Sequence, residues 1–137
     1  MELRERLREV LQAFPAVRLA AVFGSVARGG DHAGSDVDLA LLLAPDTPEI
    51  RQRIEADLGR AAGREVDLVF LDAAPPLLRF EIATDGVVLV ARDRDDWVDF
   101  RTRAMIDWWD WAPTARRIHE AAIRRLREKA GPPHGTT

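Results

Sequence analysis

Along residues 2–13 the apolar positions Leu3, Leu7, Val10 and Leu11 recur at steps of three and four, the spacing of one helix face, and Pro15 closes the segment. Val17 to Phe23 is short, apolar and rich in β-branched and aromatic residues. It ends at Gly24 and predicts a buried strand. A short helix is expected over residues 25–28, and residues 29–34, glycine-rich and polar, predict a loop. Residues 36–43 predict a second strand. Side chains alternate faces along a strand, so Asp36 and Asp38 share one face while Val37, Leu39, Leu41 and Leu43 point into the core. Thr47, Pro48 and Glu49 then supply an N-cap, a first helical position and an acidic first turn. That helix should run to about Ala62 and stop at Gly63. Residues 65–71 predict a third strand, with Val66, Leu68 and Phe70 on one face and Asp67 on the other.

Beyond Pro75-Pro76 a short helix is expected over residues 77–84, stopped by Asp85-Gly86, and residues 87–90 predict a fourth strand. The rest is helical in pattern. Trp97, Phe100, Ala104, Trp108 and Trp111 form one apolar stripe, continued by Ala115, Ile118, Ala122 and Leu126. Pro113 is expected to kink or break this helix near Trp111. Strands alternating with helices predict an α/β or α+β sandwich with a small mixed sheet. The expected organisation is a core over residues 1–92, a helical segment over 93–130 packed on or extending it, and a frayed tail over 131–137.

At 137 residues the chain is expected to be one domain with a real core. It has no cysteine, which fits a reducing compartment. No signal peptide and no membrane span are expected, since no apolar run is long enough, so the expected location is the cytoplasm. The net charge of −3 argues against strong nucleic-acid binding. Charge is nevertheless uneven. Residues 93–110 hold six Asp against three Arg, whereas residues 113–130 hold five Arg and Lys129 against two Glu. A solvated helix face accounts for such a run, and so does a surface that meets phosphate or an acidic protein. His32, His119 and His134 show no ligand spacing.

The strongest chemical signal is Gly24-Ser25, ten residues, then Asp36-Val37-Asp38. Average residue usage gives these four positions by chance in roughly one chain of this length per thousand. Gly24 permits close backbone approach at a strand end. Ser25 opens a predicted helix, where free N–H groups favour an anion, and Arg28 on the same turn can reach a phosphate. Two carboxylates on one strand face repel unless a cation lies between them, and Mg²⁺ takes oxygen ligands shared with substrate phosphates. If the third strand neighbours the second, Asp67 completes a three-carboxylate set. Such a set suits two metal ions and phosphoryl transfer, with Asp67 as ligand and base. Each residue has a plainer reading: Gly24-Ser25 a turn and N-cap, the aspartates a solvated strand edge, Arg28 a surface charge, the tryptophans core or interface.

These residues resemble the nucleotidyltransferase superfamily of DNA polymerase β, whose signature is Gly-Ser, a spacer, then Asp-x-Asp. The small size and the spacer of ten are similar to its minimal nucleotidyltransferase (MNT) branch. Val66-Asp67-Leu68-Val69 resembles the family's third-carboxylate strand. Pro75-Pro76-Leu77-Leu78-Arg79-Phe80-Glu81-Ile82, and then Gly86-Val87-Val88-Leu89-Val90, resemble the segment after that strand in MNT antitoxins. The resemblance implies the polymerase β-like nucleotidyltransferase fold. It implies ATP as substrate, Mg²⁺ (two ions) as cofactor, and transfer of AMP to a tyrosine of a partner toxin of the HEPN ribonuclease class. By position, Asp36, Asp38 and Asp67 match catalytic and metal-binding carboxylates, and Gly24 and Ser25 match the nucleotide-binding pair, with Arg28 beside them. Val26 departs from a position that is often polar or basic in relatives, and Arg79 matches a family arginine.

Two other readings compete with an AMP-transferring antitoxin. One is a binding module that silences its partner by contact, using the tryptophan stripe. The other is a transferase acting on a small molecule such as an aminoglycoside, which fits less well because only about 45 residues follow the last strand.

Overall fold

The computed structural model describes residues 2–27 and 36–130. Its centre is β1 (Val17–Phe23), buried at every position except Arg18. Antiparallel neighbours flank it: β2 (Val37–Leu43) on one side and β4 (Val87–Ala91) on the other. The strand β3 (Val66–Phe70) adds to β2 in parallel, giving the order β3-β2-β1-β4. Parallel pairing requires a crossover, and α3 (Pro48–Ala62) provides it. The expected small mixed sheet is therefore observed.

Helices cover both faces. On one side α1 (Leu3–Gln12) and α3 bring Leu7, Leu11, Ile54 and Leu58 against Val22, Leu39 and Leu41. On the other, α4 (Pro76–Asp85) and the first part of α5 (Arg94–Ala130) bring Ile82, Trp97 and Phe100 against Leu19, Phe23 and Ala40. The alternation along β2 sets this division. Odd-numbered residues face α1 and α3, and even-numbered ones face α4 and α5. Asp38 shares the second face with Ala40 and Leu42.

Local chemistry fixes the ends of the elements. Thr47 accepts a hydrogen bond from the Ile50 N–H at 3.2 Å, and Gly63 ends α3 at φ 64°, both as expected. Arginines serve several helix C-termini, where carbonyls are left unpaired. Arg4 donates to Ala27 O at 3.2 Å, Arg6 to Ala61 O at 3.0 Å, Arg92 to Gln12 O at 2.9 Å and Arg101 to Ala83 O at 3.0 Å. Each of these bonds ties a helix end to a segment distant in sequence. The chain has one lysine, Lys129, and its arginines carry structure here, because a guanidinium can hold several carbonyls at once, as Arg92 does with Gln12, Phe14 and Val17.

Most expected boundaries agree within one residue. The short helix α2 is Gly24–Ala27, and Asp36 lies just before β2 rather than in it. Of the kink or break expected at Pro113, the break does not occur: the helix continues from Arg94 to Ala130 with Pro113 inside it. Proline removes one helical N–H, which orphans the carbonyl of Trp109. Pro113 is exposed, so water can serve that carbonyl and the helix persists. The expected loop at 29–34 and the tail at 131–137 lie outside the described residues.

Candidate active site

The end of β1 and the start of β2 meet at the carboxylates. Phe23 pairs with Asp38, and Gly24 turns the chain out of the strand at φ 73°. A side chain would be strained at that φ. It would also collide: a Cβ on Gly24 would lie 2.5 Å from Asp38 Oδ2. Gly24 is thus required both by its conformation and by the carboxylate packed against it. Its neighbour Ser25 is the second residue of α2. Arg28 lies outside the described residues.

On the opposite side Asp38 pairs directly with Asp67 in the parallel ladder. The shared register puts both on one face of the sheet, with Ala40, Leu42 and Val69 packed further along that face. Asp36 sits one residue before β2, exposed. Partial burial, the charge of Asp67 and the charge of Asp36 together raise the pKa of Asp38 above the ordinary carboxylate value. The three carboxylates offer the hard oxygen atoms that Mg²⁺ takes, without being gathered into a formed metal site. Among the described residues, no three acidic, histidine or cysteine side chains stand at metal-binding spacing. The set is open-sided, with Asp36 and Asp67 both solvent-exposed.

Beside Asp67 a cavity of about 540 Å³ opens along the free edge of β3, lined also by Arg51, Glu55, Arg64 and Phe70. Sequence reasoning passed over Arg51. Its guanidinium lies 3.6 Å from the Phe70 ring centroid and donates to both carboxylate oxygens of Asp46, at 2.7 and 2.6 Å. These hydrogen bonds hold the pKa of Asp46 below the ordinary carboxylate value. Arg51, paired with Asp46 and lying over Phe70, thus lines the same cavity as Asp67. Only the five-residue separation of Asp46 and Arg51 around the Thr47 cap could have signalled it.

Arg79 is not at the carboxylates. It donates to Asp107 at 2.9 Å and stacks over Phe100 at 5.6 Å, so it braces α4 against α5. Its Nε is buried and lacks a hydrogen-bond partner. The tryptophan stripe divides. Trp97 stacks on Phe100 and Trp108 on Phe80, whereas Trp111, beside Trp108, is exposed; Trp109, off the stripe, is 78% exposed.

The residues that build this site lie in a region shared with known proteins. The model of the family "Polymerase beta, Nucleotidyltransferase" matches residues 5–95. A protein adenylyltransferase MntA of Shewanella oneidensis is 35% identical over 83 residues, which are 60% of this chain and 60% of that protein. A protein adenylyltransferase MntA of Aphanizomenon flos-aquae is 27% identical over 116 residues, 77% of each chain. A crystal structure of a toxin-antitoxin with AMP-PNP superposes with a TM-score of 0.76 at 25% identity, covering 88% of this chain and 98% of that one. The match to the Shewanella protein spans less than two thirds of its length.

Proposed function

The chain belongs to the polymerase beta nucleotidyltransferase family, and from that premise we propose that it is an antitoxin that transfers AMP from ATP to a tyrosine hydroxyl of a HEPN-class toxin. The observation that carries this reading is the register of Asp38 opposite Asp67, with Gly24 packed on Asp38. The adenylyltransferase relatives and the toxin-antitoxin solved with AMP-PNP support the substrate and the partner.

In this reading Gly24 and Ser25 receive the triphosphate, with Arg28 adding a positive charge. Asp36, Asp38 and Asp67 are the residues that would hold Mg²⁺. When bound, Mg²⁺ would neutralise the triphosphate and lower the pKa of the attacking hydroxyl. Asp67 accepts the proton of the tyrosine hydroxyl. The tyrosine oxygen bonds to the α-phosphorus, the bond from that phosphorus to the α–β bridging oxygen breaks, and pyrophosphate leaves. The cavity beside Asp67 lets the acceptor tyrosine of the partner reach the base from solvent. The need for ATP places the reaction in the cytoplasm. No helix among the described residues is long and apolar enough to cross a membrane.

The test is incubation of the purified chain with the HEPN-class protein encoded beside it, ATP labelled at the α-phosphate, and Mg²⁺. Label on a partner tyrosine is expected, lost with Asp36→Asn/Asp38→Asn. Absence of label from the native chain while ATP still binds would remove this reading. Neutralisation that survives the double substitution would instead favour silencing by contact.

A further inference from the structure

The candidate base stands on the outer edge of the sheet. β3 is the last strand, and its register with β2 leaves every second backbone unit without a sheet partner. Val37 N–H donates to Glu65 O at 3.0 Å and Leu71 N–H to Leu41 O at 2.9 Å, so the odd-numbered residues of this stretch turn their backbone groups towards β2. The groups of Val66, Leu68 and Phe70 point away from it. Among the described residues, only Phe70 O of these has a backbone partner, the Ala73 N–H at 3.0 Å. A groove runs along this edge. Its helix wall is Arg51, Glu55 and Gly59, one ridge of α3 at steps of four, and its floor is Leu68 and Phe70, half-buried on the α3 face of the strand. The space over Gly59 is open: a Cβ built there meets nothing within 4 Å.

An edge strand beside a helix, with unpaired N–H and C=O groups facing the gap, is a geometry in which proteins take up an extended peptide as an additional strand. The two turns of α3 from Arg51 to Gly59 span about 12 Å, the length of an extended segment of about four residues. Register then sets the side chains. Asp67 bonds towards β2, so an antiparallel newcomer meets it as a non-hydrogen-bonded pair, with Cα atoms about 4.5 Å apart and side chains on the same face. The residue opposite Asp67 is delivered to the carboxylate face, and its two neighbours point into the groove over Leu68 and Gly59. A second copy of the chain does not meet the need of this site, because the chain has no tyrosine to present.

We propose that the acceptor tyrosine is presented in an extended segment of the toxin that adds to the free edge of β3, with the tyrosine opposite Asp67 and its neighbours held in the groove between β3 and α3. The identity of the acceptor rests on the proposed function, while the mode of presentation rests on the edge and the groove. Selectivity then lies in backbone shape and in the residues beside the tyrosine. A tyrosine locked within a helix cannot pair with this edge and is not modified. Gly59 determines which neighbours fit, because a larger side chain there would occupy the groove.

The experiment uses the full chain, the purified HEPN-class protein encoded beside it, and ATP labelled at the α-phosphate. Gly59→Phe fills the groove from a helix position with open space, whereas Gly59→Ala leaves most of it free. Gly59→Phe is expected to lower kcat/KM for the toxin at least about tenfold. Gly59→Ala should stay close to the native chain, and binding of a fluorescent ATP analogue should be the same in all three proteins. Equal kcat/KM in the three overturns the proposal. So does a change in self-association of the Phe variant with its kcat/KM for the toxin unaffected. A second measurement needs no variant: in the complex, amide exchange at Leu68 and Phe70 is expected to slow at least about tenfold relative to the free chain. Unchanged exchange there overturns the proposal. Edge protection without any transfer of AMP would remove the proposed function and leave the added strand standing. Transfer with neither edge protection nor an effect of Gly59→Phe would do the reverse.

Discussion

Gly24 lies against Asp38 so closely that the smallest added side chain would put its Cβ 2.5 Å from the carboxylate oxygen Oδ2. The turn at the end of β1 and the Asp38 carboxylate, to which the proposed function gives the phosphate and the metal, therefore form one unit. Gly24→Ala meets both a positive φ and this contact. It is expected to lower stability by about 2 kcal/mol in a denaturant titration. Transfer of label from ATP should fall by more than the stability loss explains, because Asp38 must move to make room. Labelling measured well below the unfolding transition separates the two effects.

Asp38 itself is held in an unfavourable state. Its pKa is raised by partial burial and by the charges of Asp67 and Asp36. The folded protein therefore binds a proton there more tightly than the unfolded chain does. The resulting destabilisation is absent below the unfolded carboxylate pKa and complete above the raised folded one. Without nucleotide or metal, Asp38→Asn is expected to be more stable than the native chain at neutral pH, with an advantage that shrinks as the pH falls through the folded pKa. Thermal melts across acid and neutral pH check this. A constant difference at every pH would refute the electrostatic origin. The same substitution should abolish labelling.

Much of this site was legible in the chain because its determinants are local. The Thr47 cap, the Gly63 stop and the two-residue alternation that sets the faces of Asp38 in β2 and Asp67 in β3 each depend on a few neighbouring residues. What pairs with what is not local. Asp67 meets Asp38 only because α3 carries the chain across the sheet and returns it in parallel, which the sequence allowed but did not require. Arg51 was missed because its role needs Phe70, nineteen residues away, to lie beneath it. The break expected as one outcome at Pro113 is absent for another reason: a rule about helix interiors weakens where the freed carbonyl faces water. The unbroken stripe of α5 was readable in full. Where its cover would end was not, since that depends on the size of the domain beneath.

Arg79 and Asp107 should behave as a structural pair rather than as active-site groups. Arg79 is mostly buried, with a 2.9 Å bond to Asp107 and an unpartnered Nε. Removing one partner strands the other, so Arg79→Ala is expected to cost about 2–3 kcal/mol. Replacing both with apolar residues, as in Arg79→Met/Asp107→Leu, should cost less than the sum of the two single changes. A double-mutant cycle by chemical denaturation measures this. Binding of an ATP analogue should be the same in all four proteins, since neither residue reaches the carboxylates.

Pro113 offers a test of how α5 is held. It sits within the helix, exposed, two residues beyond the last tryptophan of the stripe. Pro113→Ala supplies the missing N–H to the carbonyl of Trp109 and removes the ring clash, a local gain of up to about 3 kcal/mol. The core lies on the other side of this position and does not depend on it. Amide exchange over residues 109–125 is therefore expected to slow by at least about tenfold, while the melting temperature of the domain stays nearly constant. Should the melting temperature rise by the full amount, the outer half of α5 would unfold together with the core, and the independence of the two halves would be wrong.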